Sequence, residues 1–296
     1  MTDIGIVGLD TSHADAFAGV LDNMDGVTVS GVWDDNDVRD DEYIESFCAE
    51  YHARRYEDLN DLSAAVDAVM VLTVDWESHV PFATTFLDDG LPTMVDKPVT
   101  GSLAEVSALG RAATNARLFG GSAVPFHSSF SDFERGGTDR TLYAAGYNDF
   151  FYYRAHLTDT VRLLADADWS RVTPGDEPGT TVDVGFENGT HATLRFDGSP
   201  EDGTFSVLDV GEKTNSVSIE GNQDALTEMY IPFMESFRAV IDGERDDTTR
   251  LLDSATLLLA VELAIEIEAE VTPDSEHLAT VSVDSSDFLS EYDPYY

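Results

Sequence analysis

Between residues 4 and 113, short wholly apolar runs alternate with segments whose apolar residues recur every three to four positions. Residues 4–7 are apolar and stop at Gly8; Ala14, Phe17, Ala18 and Leu21 then follow at helical spacing up to an Asp25-Gly26 turn. Residues 27–33 read as a β-branched and aromatic strand ending at Asp34-Asp35, and 43–51 and 59–66 read as helices. The run 68–72, AVMVL, has no polar residue; 79–87 is helical up to Gly90, 93–95 is a strand and 103–113 a helix. A strand with no polar position has no face to give to water, so both sides of its sheet must be covered. Helices between such strands supply the cover and make the strands parallel. The expectation is α/β: a doubly wound parallel sheet of the Rossmann, nucleotide-binding kind over residues 1–121.

After residue 121 the pattern changes. Strands are expected at 181–186, 192–196, 204–210 and 216–219, with Asn188-Gly189, Asp197-Gly198 and Asp202-Gly203 as hairpin turns between them. Helices are expected at 155–164, 229–240 and 251–267, and a last short strand at 277–283 before an acidic, aromatic end. Residues 122–296 thus read as an α+β domain on an open, mainly antiparallel sheet.

Composition excludes several classes of function. The chain carries 58 acidic residues against 16 basic ones, a net charge of −42, and only two of the basic residues, Lys97 and Lys213, are lysines. With 42% hydrophobic residues the chain can still build a core, so the acidity belongs to a folded surface and not to a disordered chain. Such a surface suits a high-salt interior, where at about 1 M salt the Debye length falls to about 3 Å and self-repulsion is screened. A halophilic, cytoplasmic protein is expected. Nucleic acid is an unsuitable partner because phosphate binding needs a basic face. The N-terminus has no signal-peptide pattern, and no apolar run approaches the roughly 18 residues of a membrane span. Cys48 is the sole cysteine, which leaves no disulfide framework and no cysteine cluster for a metal.

In a doubly wound sheet ligands bind beyond the carboxyl ends of the strands. Those ends are GLDTSH (8–13), DDND (34–37), TVDWESH (73–79) and DKP (96–98). With HLTD (156–159) and the late FMESFRAVIDGE, their order resembles the Gfo/Idh/MocA oxidoreductases, the family of glucose–fructose oxidoreductase and inositol dehydrogenase. The family's Glu-Lys-Pro signature is similar to Asp96-Lys97-Pro98, its strand-Thr-Pro stretch with a following His to Thr73 and His79, and its His-x-x-Asp to His156 and Asp159. The resemblance implies an NAD-dependent enzyme, with NADP less suited, that passes hydride between the nicotinamide and a sugar, polyol or related hydroxy compound. It implies that Lys97 polarises the reacting oxygen and that His156 exchanges its proton. It further implies a homodimer or homotetramer packed through the open sheet. The alternative is a non-catalytic sensor on the same scaffold.

Two positions depart from the family pattern. Tyr152 stands four residues before His156, where the family often has an aspartate, leaving Tyr152, Tyr153 or Asp159 as substitutes. The glycine fingerprint begins at Gly8, but Asp10 and His13 replace its second and third glycines. Asp10 would either repel the pyrophosphate or turn inward to cap the helix at Thr11 to His13. Thr11, Ser12 and His13, at the helix start, are placed to hold phosphate. Asp34, 26 residues after Gly8, is placed either to accept from the adenosine ribose or simply to end its strand in a turn. His79 is expected to position its loop and His127 to line the pocket.

Overall fold

The first sheet is entirely parallel because a helix or loop excursion returns the chain to the same end of the sheet before each new strand. Its strands are β1 (Thr2–Val7), β2 (Val27–Trp33), β3 (Arg54–Arg55), β4 (Ala68–Val71), β5 (Thr93–Asp96) and β6 (Leu118–Gly121), in spatial order β3-β2-β1-β4-β5-β6. The computed structural model describes residues 1–176, 179–199, 203–292 and 294. Helices α1 (Ser12–Asp22), α2 (Asp41–Glu50), α3 (Leu59–Ser63), α4 (His79–Asp88) and α5 (Leu103–Ala112) accompany it. Every residue of β4, β5 and β6 is buried, as the apolar runs demand. The strand order reverses between β1 and β4, so the loops after them diverge to opposite sides of the sheet and leave a crevice at the carboxyl end.

The second sheet contains β7 (Thr141–Tyr147), β8 (Trp169–Pro174), β9 (Thr181–Phe186), β10 (His191–Gly198), β11 (Thr204–Val210) and β12 (Thr214–Glu220). Its order is β12-β11-β7-β10-β9-β8, and only the β7–β10 pair is parallel. Helices α6 (Phe151–Ala165), α7 (Gln223–Ile241), α8 (Thr248–Ile267) and a short α9 (Ser286–Glu291) complete the chain. Helix α6 is buried on nearly every side. Its buried residues include Arg154, Asp159 and Arg162 as well as apolar ones, and it starts a turn before the expected boundary.

Three local expectations are corrected. The run of successive hairpins is broken, because β7 lies between β10 and β11 and separates them. Its sequence, TLYAAGY, is rich in small residues and carries little of the β-branched pattern that marked the others. Residues 277–283 make a 3₁₀ turn (Glu276–Thr280) and a single bridge from Ser282 to Ser102 instead of a strand. Asp202 of the third turn dipeptide, and Asp293, Tyr295 and Tyr296 of the aromatic end, lie outside the described residues.

Candidate active site

The chain leaves β1 through Gly8, whose φ of +84° lies in the left-handed region; a Cβ there would fall 2.5 Å from Thr73 Cγ2 and 2.8 Å from the Thr73 amide nitrogen. Glycine is therefore required where β1 passes the β4 loop, and the close approach delivers the first turn of α1 to the crevice. Thr11 is the N-cap of α1 and makes no side-chain cap. The turn opens on a cavity of about 650 Å³ that Thr11, Ser12 and His13 line from the sheet side. Lys97, at the end of β5, and Tyr152 and His156, from α6, line the same cavity. These six sequence-derived candidates are brought together.

The others are placed behind or beside it. Asp10 turns inward, 3% exposed, but it accepts from the Val74 amide at 2.9 Å and not from its own helix. Burial pushes its carboxyl up to about 7, against the Val74 bond, and the nearby Asp34 and Asp35 charges add to the rise. Its capping role is thus corrected: it ties the β1 loop to the β4 loop. Asp34 sits at the end of β2, where its two oxygens accept from the Leu9 amide at 2.7 Å and the Asn36 amide at 2.8 Å. Burial raises its carboxyl, those two bonds opposing the rise. Arg39 is buried and donates to the Leu9 carbonyl at 3.2 Å beside Asp34.

His79 does not reach the cavity. It is fully buried, with Nδ1 2.9 Å from the Pro98 carbonyl and Nε2 2.8 Å from the Thr73 carbonyl, and it ties together the loops after β4 and β5. Pro98 and Thr73 therefore act as anchors for that imidazole, and the Thr73 hydroxyl pairs with Ser78 at 2.7 Å. Asp96 is held by His13 Nδ1 at 2.6 Å and by the Lys97 amide at 2.7 Å. Burial works to raise its carboxyl, but the His13 ring and the Lys97 charge and amide outweigh it and hold it low. His127 faces Glu228 at 3.6 Å and does not line the cavity, contrary to expectation.

Asp159 is the clearest correction. It follows His156 by three residues on α6, yet it points away from the cavity into an ion pair with Arg250 of α8 and accepts from the Ser122 amide at 2.7 Å. Gly121, φ +79°, has no Cβ to block this contact; one would meet Asp159 Oδ2 at 2.5 Å. A carboxylate so engaged is a fastening between β6, α6 and α8.

At the chemical centre, burial pushes the Lys97 amine down to about 7, with Asp96 opposing the fall. Its Nζ lies 3.0 Å from the centroid of the Tyr152 ring. His156 is driven well below its ordinary value by burial and then by the Lys97 and His13 charges. Ser122 Oγ stands 2.8 Å from His156 Nδ1 and accepts from the Val124 amide at 3.1 Å. Sequence reading missed Ser122 because it follows β6, whose two glycines hid a strand. It also missed the wall formed by Phe288 and Tyr292, which reach the cavity from the end of the chain. The only signal was the density of aromatic residues in that end.

Residues 2–119 match the family model described as GFO_IDH_MocA, oxidoreductase family, NAD-binding Rossmann fold. Over that stretch, well under half of the chain, the sequence is similar to the family. The match bears out the expected NAD-binding Rossmann domain and supports an oxidoreductase. Solved structures extend the likeness of fold over both domains. GenD2 from gentamicin A biosynthesis, solved with NAD, is similar with a TM-score of 0.74 and 17% identity over 93% of this chain and 97% of that one. A putative myo-inositol dehydrogenase from Sinorhizobium meliloti 1021 follows at 0.71 and 17%, covering 92% and 99%. UDP-N-acetylglucosamine 3-dehydrogenase GnnA from Acidithiobacillus ferrooxidans reaches 0.71 and 20%, covering 90% and 98%. No curated protein matches the chain in sequence.

The residues present fit a dinucleotide at the α1 end. Gly8 brings the backbone close, the first turn of α1 is uncapped by side chains, and Asp10, the expected obstacle, is turned inward onto Val74.

Proposed function

We propose that this oxidoreductase oxidises a secondary hydroxyl of a sugar, polyol or related hydroxy compound, with residues 1–121 holding NAD and residues 122–296 holding the substrate. The observation that carries the reading is the shared cavity: Lys97 and His156 open onto the same space as the first turn of α1. When bound, NAD supplies the hydride acceptor. Ser12, His13 and the α1 amides would hold its phosphates, and Asp34 would face the adenosine ribose. A carboxylate there disfavours a 2′-phosphate, so NAD is preferred over NADP.

The division of labour between the two polar groups departs from the one the resemblance implies. His156 is held in its neutral form by burial first and then by the Lys97 and His13 charges. In this reading Ser122 Oγ, which accepts from the Val124 amide, donates to His156 Nδ1, so that Nε2–H would bond the substrate oxygen. Lys97 titrates near neutrality, so its uncharged amine takes the hydroxyl proton during oxidation and its ammonium returns it during reduction. Eight aromatic rings, among them Tyr147, Tyr153 and Phe205, line the cavity and suit the C–H faces of a sugar or polyol ring.

Two further properties belong to the same reading. Tyr143, Leu208 and Val210 are exposed on the outer face of β7 and β11, which supports a homodimer or homotetramer packed through that sheet. The net charge of −42 supports a halophilic, cytoplasmic setting. The test is a titration with NAD, NADH, NADP and NADPH in molar salt, then a panel of sugars and polyols followed by nicotinamide absorbance. Binding of NAD with turnover of at least one polyol is expected. Preference for NADP removes Asp34 from the ribose, and no turnover across the panel removes the substrate class.

A further inference from the structure

The last described turn of the chain folds back over the crevice. Val283 donates to the Gly101 carbonyl at 2.9 Å, and the Trp76 indole donates to the Val283 carbonyl at 2.8 Å. Ser285, 1% exposed, reaches Asp75 with its hydroxyl at 2.5 Å, and Tyr292 donates to the Asp10 carbonyl at 2.8 Å. Between these anchors Phe288 stacks on Tyr152, ring centroids 4.3 Å apart and planes 19° from parallel. Lys97 Nζ sits 3.0 Å from the same centroid. A parallel ring at 4.3 Å leaves no room for an ammonium on its own side, so Phe288 and Lys97 occupy opposite faces of Tyr152.

We propose that Phe288 is a positioning residue of the active site, clamping the Tyr152 ring beneath Lys97 so that the end of the chain completes the setting of the catalytic amine. The proposal rests on the dehydrogenase reading for what Lys97 does, though not for where it sits. The physical reason lies in what stands at position 152. A carboxylate there would hold Lys97 charged; an aromatic face attracts the ammonium more weakly and excludes water from it. The amine can then lose its proton near neutrality only while the ring stays in place and dry. Tyr152 is a side chain at the start of α6, and Phe288 is what backs it from the other face.

The charged and titratable groups facing Lys97 are Asp96 beside it, His13 from α1, and Tyr153, His156 and Asp159 from α6. Glu220, Tyr230, Asp287, Glu291 and Tyr292 line the rest of the same cavity. Removing Phe288 changes none of these charges, so a shift on its removal reports the clamp and its cover.

The chain's two lysines make the test direct, because full-length protein grown on [ε-¹³C]lysine shows two side-chain signals, assigned with Lys213→Arg. The Lys97 signal is expected to titrate near 7 in molar salt. Phe288→Ala should move that midpoint up by about one unit, and Tyr152→Asp by about two, as an opposing charge at this range does. Tyr152→Phe, which keeps the ring, should leave the midpoint in place. Should Phe288→Ala fail to fold, Phe288→Leu, which removes the ring and leaves every charge in place, gives the same readout. An unmoved midpoint in Phe288→Ala or Phe288→Leu, while Tyr152→Asp shifts it, overturns the proposal. A moved midpoint in a protein that oxidises no polyol supports the clamp and rejects the substrate reading. Turnover with an unmoved midpoint does the reverse.

Discussion

Helix α6 carries two buried polar clusters on different faces, and they are built on opposite principles. On one, Asp159 pairs with Arg250, whose remaining donors reach Asp247 at 2.7 Å and the Gly120 carbonyl at 2.9 Å, and Asp247 is met in turn by Arg245 at 2.7 Å. Every charge there has an opposite, and the cluster fastens β6 to α6 and α8. On the other, Lys97, His156 and His13 crowd together with Asp96 as the nearby carboxylate. Burial pushes Lys97 and His156 toward neutrality, and the Lys97 and His13 charges add to the effect on His156. Complete pairing makes a buried cluster structural, and incomplete pairing makes it chemical.

Substitution of Lys97 should separate the two most strongly. Lys97→Met should lower turnover by about 10³-fold, ~4 kcal/mol of transition-state stabilisation, with NAD affinity nearly unchanged. The same change should raise stability at pH 7 by a few kcal/mol, since burying an amine whose proton is held less tightly than in the unfolded chain costs free energy. The sign follows from proton counting. Between about 7 and the ordinary value of 10.5 the unfolded chain binds the extra proton, so wild-type stability rises with pH across that window and the variant's does not. Denaturant melts of both proteins at pH 6 and 9 check it; a Lys97→Met protein less stable than wild type would break the comparison.

Arg250→Met should act in the opposite sense. It strands Asp159 and Asp247 without their shared cation and should cost about 3–5 kcal/mol in a denaturant melt. The midpoint of the pH–rate profile should stay where it was. A shifted midpoint would mean that the two clusters are one.

The pH–rate profile gives the next effect in size. Oxidation should rise about tenfold per unit below about 7 and level off above it, as Lys97 becomes the neutral amine. Reduction should fall across the same window. A limb displaced toward pH 10 would place Lys97 in water. Ser122→Ala should lower kcat by about fivefold with little change in KM, because one orienting hydrogen bond of ~1 kcal/mol is lost; Ser122→Thr should restore most of it. Salt should move both clusters least. The melting temperature should climb strongly between dilute and molar salt through the surface acids, while the Lys97 midpoint shifts by no more than a few tenths of a unit, buried charges being screened little.

The first sheet was legible because its strands are buried on both faces, a condition written into each local run; 68–72 could be nothing else. Strands β6 and β7 escaped because glycine and alanine fill them. Their place is set by neighbours, with Gly121 making room for Asp159, and no local pattern records that. Lys97 stood out by rarity and by following a strand, both visible in one dimension.

Residue order alone settled the doubly wound domain, the strand-end loops that could hold a ligand, and the singular lysine. Each rests on periodicity or composition within a few residues. Tertiary structure alone decided what those loops do. Asp10 and Asp159 look equally chemical in sequence, and only the Val74 amide and the Arg250 guanidinium, 64 and 91 residues away, turn them into ties. The contact between Phe288 and Tyr152 spans 136 positions and has no local signature, because a ring's partner is chosen by how the chain packs, not by the residues beside it.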